Sequence, residues 1–367
     1  MTRILVFPGG MPKSLEFARR AEAEGHDVVG ASSIPNDAGQ VRYRDWAFLP
    51  MVTDDSFHAA LAALLGEQRI EAVFTPNAVV WHHLKATLAS RHPGVALWNE
   101  SPMDTDMAPY REARTFAARI ASEALPLGDD AERRPPCEML VAEAVFRHAE
   151  TIPGMCDHEK IHALFEVFRS APPGDVVEIG TAWGKSAFVL HALARHHGVG
   201  PVLCVDPWGD GNTRQDDEKG LVDSTRSTIS MDEVFRVFLV NLPPYARGSM
   251  NYLRMTSEEA APLYDASRVI SSAEFGEVAF GGAIALLHVD GNHAYAAARA
   301  DVQTWTRRLQ PGGWLVVDDY VWPFGDGPKR AGDEFLTKHA DAVDCAFVMG
   351  SALFIRVGAG FSPGASE

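Results

Sequence analysis

Cysteine is scarce in this chain: four among 367 residues, Cys137, Cys156, Cys204 and Cys345, scattered and without a CxxC pair. That excludes a disulfide framework and a zinc ribbon, and makes free thiols in a reducing compartment the expectation. Basic residues are also short. Lysine and arginine number 33 against 49 aspartates and glutamates, a net charge of −16. Non-specific duplex binding needs a basic face to displace counterions, so no nucleic-acid partner is expected. An anionic membrane surface would repel the chain. No run of about eighteen apolar residues occurs, so no spanning helix is expected. The opening MTRILVFPGG is too briefly apolar for a signal peptide and lacks a cleavage pattern. A cytoplasmic protein is the expectation.

What is present is globular. Hydrophobic residues make up 46% and charged residues 22%, too apolar for a disordered chain. The length suggests about two domains. In the first hundred residues strands alternate with helices: Ile4–Phe7, a helix over Pro12–Glu24 closed by Gly25, then strands at Asp27–Ala31, Trp46–Leu49 and Ala72–Thr75. Phe57, Leu61, Leu64 and Leu65 mark a helix by spacing, and Val79–Ala89 another. Such alternation predicts a small parallel α/β domain over 1–100. A helical linker is expected over 101–137, with a helix at Tyr110–Leu125 and a polar run from Gly128 to Pro136.

The remainder, 138–358, begins with helices at Glu138–His148 and His158–Ser170. Strands follow at Asp175–Gly180, Val202–Asp206, Asn251–Met255, Ala283–Asp290 and Trp314–Asp319. Val343–Met349 and Ala352–Val357, split by Gly350-Ser351, read as a terminal antiparallel hairpin. Seven strands are therefore expected, followed by a tail at 359–367. The long stretch from Asp206 to Met250 includes a polar run at Gly209–Lys219 and a helix at Met231–Val240, and reads as a lid or binding loop.

In an open α/β sheet, ligands lie beyond the carboxyl ends of the strands. Here those ends carry Glu178, Asp206, Asp290, Asp318 and Asp319. The turn EIGTAWGKS is neither a dinucleotide fingerprint nor a P-loop, because the glycine spacing fits neither. Asp206, about twenty residues on, is placed to accept from ribose hydroxyls. Asp290, Asp318 and Asp319 make a hard oxygen site suited to Mg²⁺, Mn²⁺ or Ca²⁺. His293 could take a proton near neutral pH. Trp208 flanks a bound base or covers the sheet edge. Trp322 to Gly327 is a second candidate substrate wall. The adjacent pairs His82-His83 and His196-His197 are expected on the surface or in packing.

EIGTAWGKS, VDPW and HVDGNHAYAAARADVQTWTRRLQPGGWLVVDDY together resemble the class I S-adenosylmethionine-dependent methyltransferases, over roughly 138–357. IPGMCDHEKIHALFEVF is similar to the lead-in of a small-molecule branch. DGNH, LQPGGW and VVDDY followed by GPKRAGDEF resemble the metal-dependent macrocin-type O-methyltransferases and the neighbouring cephalosporin hydroxylase-like proteins. The resemblance implies a seven-stranded Rossmann-like sheet, S-adenosylmethionine, and a divalent metal, with Mg²⁺ expected. It implies that Glu178, Gly180 and Gly184 line the methionine end, Asp206 holds the ribose and Ser257 lies near the adenine; Thr181, Ser186 and Trp208 are further candidate cofactor contacts. Asp290 would border both cofactor and metal; Asp290, Asp318 and Asp319 would hold the metal; His293 would be the base. The pattern often includes a glutamate, so three aspartates leave the metal's identity open. The acceptor implied is a hydroxylated small molecule in natural-product biosynthesis, the assembly a homo-oligomer. An N- or C-methyltransferase and a non-catalytic cofactor-binding module are the alternatives. RILVFPGG and FARRAEAEGHDVVGASS resemble the small Rossmann-like domain that precedes ATP-grasp catalytic domains. With no ATP-grasp portion following, a recognition or oligomerisation role without tight ATP binding is expected.

Overall fold

A computed structural model describes residues 1–125, 127, 133–209, 215 and 220–362. Residues 128–132 of the expected linker lie outside this set. So does the polar run at 209–219, apart from Gly209 and Gln215. The chain divides into two compact units, Met1–Arg111 and Glu112–Glu367. Among the described residues no helix is long and apolar enough to cross a membrane.

The first unit runs β1 (Arg3–Val6), α1 (Pro12–Ala23), β2 (Asp27–Ser32), β3 (Asp45–Phe48), α2 (Phe57–Glu67), β4 (Ala72–Phe74), α3 (Ala78–Arg91) and β5 (Ala96–Leu97), and ends within α4 (Pro102–Ser122). Its five strands are parallel in the order β3-β2-β1-β4-β5. Helices on both faces bury the central strand, so Ile4, Leu5 and Val6 show no exposure. Phe17, Ala18 and Ala21 of α1 cover one face; Leu61 and Leu65 of α2 and Val80 and Leu84 of α3 cover the other. The helix α4 starts two turns before the expected Tyr110 and runs through Pro109. The internal proline removes one backbone hydrogen bond without ending the helix.

The second unit continues with α5 (Met139–Ala149), α6 (His158–Ser170), β6 (Asp175–Ile179), α7 (Lys185–His197), β7 (Val202–Val205), α8 (Leu221–Arg226), α9 (Met231–Asn241), α10 (Pro243–Ala246), β8 (Met250–Leu253) and α11 (Ser257–Ala266). Then come β9 (Val269–Ser272), β10 (Gly276–Ala279), β11 (Ile284–Val289), α12 (Tyr295–Trp305), β12 (Leu309–Val317), α13 (Gly327–Lys338), β13 (Val343–Met349) and β14 (Ala352–Val357). The seven-stranded sheet has the order β13-β14-β12-β11-β6-β7-β8. Only the β13–β14 and β14–β12 pairings are antiparallel. The fold is thus α/β: a Rossmann-like seven-stranded sheet with a reversed terminal hairpin in the second unit, and a smaller parallel sheet in the first. The hairpin β9–β10 forms a separate two-stranded sheet that the short, polar sequence did not reveal.

Side chains alternate across this sheet. Val176, Leu286, Trp314 and Val316 face a core shared with α5, α6 and α7. Val177, Leu287, Leu315 and Val317 face α11, α12 and α13 on the other side. The strands run β6, β7, β8 outward in one direction, then return to β11 on the far side of β6. That reversal opens a crevice beyond the carboxyl ends of β6 and β11.

One buried histidine makes the second unit acid-sensitive. His191 of α7 is 3% exposed, its Nε2 2.8 Å from Ser249 Oγ. Burial, helped by Arg195, lowers its pKa from 6.5 to about 4. The unfolded chain takes up a proton that the folded chain refuses, so this stability is complete above pH 6.5 and falls as pH drops toward 4. Urea unfolding across that window should show a loss of up to about 3 kcal/mol from this group. His191→Asn should flatten the slope; an unchanged slope contradicts the assignment.

Candidate active site

The turn after β6 is where the chain bends over the crevice. Gly180 has φ +80°, and a Cβ there would come within 2.1 Å of the Asp290 carbonyl oxygen. Only glycine lets the ends of β6 and β11 approach this closely. Ala182 also has positive φ, +46°, a conformation that must be held. Asp206, one residue past β7, holds it. Its Oδ2 accepts from the backbone N–H groups of Thr181 and Ala182, both at 2.9 Å, and its Oδ1 accepts from Trp208 N–H at 2.7 Å. Burial raises the Asp206 pKa against the effect of those three donors.

Two cavities open beyond the turn. The larger, about 260 Å³, is lined by Gly180, Asp206, Ser257, Asp290 and Asp301, with Arg226 and Met231 from the long stretch before β8. Thr256 and Glu259 form a capping box that starts α11 and sets Ser257 at the cavity wall. Ser257 Oγ donates to Asp301 Oδ1. Burial raises the Asp301 pKa to about 6. The smaller cavity, about 80 Å³, is lined by Cys156, Thr181, Ser186, His293, Asp318 and Asp319 among others. Gly180, Ala182, Arg226 and Asp290 border both.

Electrostatics in the smaller cavity are set by a lysine. Asp157 caps α6 by accepting from Lys160 N–H at 2.8 Å, which fixes Lys160 in the first turn. The Lys160 side chain, fully buried, runs under the strand ends to donate to Asp318 Oδ2, with Asp290 Oδ2 at 3.8 Å. Asp318 Oδ1 accepts from Asp319 N–H at 3.0 Å and Ser351 Oγ at 3.2 Å. Burial alone would raise the Asp318 pKa, but the Lys160 ammonium holds it well below the carboxylate range. Burial and the Asp318 charge push Asp290 the other way. Behind them His288 Nδ1 lies 3.0 Å from Glu178 Oε1, both side chains fully buried. Burial would lower the His288 pKa; the Asp318 and Glu178 carboxylates outweigh it and raise it to about 9. His293 Nε2 lies 3.0 Å from Asp319 Oδ2, its ring edge-on to Trp322 at 4.5 Å, and its Nδ1 is buried with no partner among the described residues.

The structure therefore brings Gly180, Asp206, Ser257 and Asp290 around one cavity, and Thr181, Ser186, His293, Asp318 and Asp319 around the adjoining one. Three expected residues lie elsewhere. Glu178 shares the sheet face of Val176, so its side chain points under the helices to His288 and lines neither cavity. Trp208 covers the sheet rather than a ligand: it is 1% exposed, donates from Nε1 to Ala182 O at 2.8 Å and packs on Phe235 and Phe238. Gly184 starts α7 against Leu242. Of the expected carboxylate group, ligand atoms of Asp290, Asp319 and His293 lie within 4.8 Å of one another. Asp318 groups instead with Asp290 and His288. Lys160, His288 and Asp301 went unnoticed in the sequence. Lys160 left a signal, occupying a stripe position with Ala163, Leu164 and Val167 on a helix that is otherwise covered.

A sheet reversed at its terminal hairpin, a glycine turn after its central strand and a cavity at the switch point define a Rossmann-like methyltransferase architecture. Residues 177–320 match the family model described as a methyltransferase domain, so the second unit holds a methyltransferase domain, an S-adenosylmethionine-dependent enzyme by class. Similar solved structures include the O-methyltransferase NovP, 18% identical with a TM-score of 0.40 over 70% of this chain and 100% of that one. CalS11, a TDP-rhamnose 3'-O-methyltransferase of calicheamicin biosynthesis, is 14% identical with a TM-score of 0.37 over 71% and 96%. MycE of the mycinamycin pathway, solved with Mg, SAH and mycinamycin VI, is 16% identical with a TM-score of 0.36 over 64% and 57%.

Two substitutions test this geometry. Lys160→Met should destabilise the fold by about 3–5 kcal/mol in denaturant unfolding, because Asp318 is left buried and unpaired. Adding Asp318→Asn should recover most of that loss; no recovery means the two do not form a pair. Asp206→Ala removes three hydrogen bonds from backbone N–H groups, two of them in the turn, and should cost about 2–4 kcal/mol. A variant as stable as the parent would show that the turn holds itself.

Proposed function

We propose that the chain is a divalent-metal-dependent O-methyltransferase that uses S-adenosylmethionine to methylate a hydroxyl of a small molecule, a sugar or natural-product intermediate. The carrying observation is the junction of two cavities at Gly180 and Asp290, with a carboxylate and imidazole group in the smaller one. The donor set fits a hard divalent ion. Mg²⁺ commonly uses one or two carboxylates and keeps several waters, and Asp290 and Asp319 supply two. Charge fits as well: burial and the Asp318 charge favour a proton on Asp290; with that proton expelled by a bound ion, three carboxylates against the Lys160 ammonium leave two negative charges, which one divalent cation would neutralise. The protonated His288 and Glu178 cancel each other behind them.

In this reading the larger cavity holds S-adenosylmethionine, which supplies a methyl on an electrophilic sulfonium. Asp206 fixes the turn against it, and Ser257 with Asp301 forms the far wall. A divalent ion at Asp290 and Asp319 supplies Lewis acidity toward the acceptor hydroxyl. With its Nε2–H donated to Asp319, His293 carries its lone pair on Nδ1 and takes the hydroxyl proton there. Lys160 keeps Asp318 ionised and in place. Oxygen is favoured over nitrogen or carbon as acceptor because hard anionic ligands beside a base suit acidification of a hydroxyl. The likeness of DGNH and VVDDY to macrocin-type enzymes supports the same choice. The first unit serves recognition or self-assembly, in a cytoplasmic homo-oligomer.

Calorimetry with S-adenosylmethionine, with and without Mg²⁺, and mass spectrometry of hydroxylated compounds for a one-methyl gain test the proposal. Turnover should stop with chelator and return with Mg²⁺. His293→Ala should keep cofactor binding and lower kcat by about 10²–10⁴. Turnover indifferent to chelator removes the metal. Cofactor binding without methyl transfer to any acceptor favours a sensing module.

A further inference from the structure

At the opposite end of α7 from the glycine turn, three side chains of a different chemistry converge. Cys137, just before α5, and His196 and His197, which close α7, bring one sulfur and two imidazole nitrogens within 4.8 Å of one another. Thirteen helical residues separate them from the turn, about 20 Å at 1.5 Å per residue. Adjacent helical residues normally diverge, which is why the sequence favours surface or packing roles for this pair. Here the helix stops at His197, Gly198 turns left-handed (φ 61°), and the two rings lie edge to face with centroids 4.7 Å apart.

The spacing is that of a tetrahedral metal centre. With zinc–sulfur and zinc–nitrogen bonds of about 2.3 and 2.05 Å, a tetrahedral angle sets sulfur and nitrogen about 3.6 Å apart. Cys137 Sγ and His197 Nε2 are 3.6 Å apart. A nitrogen and a carboxylate oxygen on the same ion would be about 3.3 Å apart. His196 Nε2 and Glu138 Oε2 stand at 3.8 Å; Glu138 lies outside the 4.8 Å group, and its side chain, 75% exposed, would swing toward the other two ligands to complete it.

We propose that Cys137, His196 and His197, with Glu138 as fourth ligand, bind zinc or a similar borderline divalent ion at a structural site distinct from the Asp290 cavity. Thiolate and imidazole select zinc over magnesium, the reverse of the preference at Asp290 and Asp319. Burial, with Glu138 beside it, pushes the Cys137 thiol up to about 12, so a bound ion would have to displace its proton; the thiolate so formed and the Glu138 carboxylate would neutralise a dication. Four protein ligands leave no open position, which makes the site structural rather than catalytic. The neighbouring guanidiniums are engaged elsewhere: Arg169 with the Glu166 carboxylate at 2.8 Å, Arg134 with the Phe168 and Ala171 carbonyl oxygens. The ion would tie the start of α5 to the end of α7, two helices that share one core.

Co²⁺ titration of the full chain, stripped with chelator, tests the site. One equivalent should produce a thiolate-to-cobalt charge-transfer band in the near ultraviolet and the intense visible bands of four-coordinate cobalt. Zn²⁺ should abolish both, and excess Mg²⁺ should leave them. Cys137→Ser should lose the charge-transfer band; the exposed His196→Gln, which spares the core, should weaken Co²⁺ binding at least about tenfold. Absence of the band in the parent means the group is only a cysteine–histidine hydrogen bond. A band that survives Cys137→Ser, or Co²⁺ affinity unmoved by His196→Gln, places the ion elsewhere and overturns the proposal.

Discussion

A lysine ammonium buried beneath the ends of two strands governs the chemistry of this molecule. Lys160 has no exposure, and its partners Asp318 and Asp290 sit where β12 and β11 stop. Taking an isolated charge out of water is prohibitive, so each of these groups persists only because the others do. The pairing makes the helix α6 part of the site although none of its backbone borders the crevice. It also sorts the carboxylates. Asp318 is pinned by Lys160, Ser351 and the Asp319 backbone, whereas Asp319 turns outward at φ +50° toward His293.

The glycine turn depends on a second buried charge. Asp206 reaches back across the sheet from β7 to the backbone after β6, so one carboxylate joins two strand ends and the start of α7. Donors that would otherwise lack partners at a tight bend are satisfied by protein rather than by ligand. The cavity wall is thereby formed before anything binds, which lowers the ordering cost of binding.

Much of this was legible in the sequence. Runs such as Ile284–Val289, apolar but for His288, and Leu315–Val317 stop at acids, which marked both the buried strands and the mouth of the crevice. Asp206, Ser257, Asp290, His293, Asp318 and Asp319 were named from that pattern and from the resemblance, and all reach the cavities. Glu178 lies away from the cavity linings for a reason of parity: it stands one residue before the strand ends, so the pleat turns it inward. Lys160 and His288 escaped because their partners lie 158 and 110 residues away, and long-range pairing leaves no local period. The β9–β10 hairpin and the two-residue β5 are too short to show alternation.

The two cavities meet at Gly180, Ala182, Arg226 and Asp290 but otherwise have separate walls. Pro153 to Cys156, before α6, line only the smaller; Thr256 to Glu258, Ala297, Ala300 and Asp301 line only the larger. Residues that shape one chamber can therefore drift without disturbing the other. Over evolutionary time such a partition lets the wall of one chamber be exchanged while the other stays intact, so a single scaffold can come to fit successive ligands.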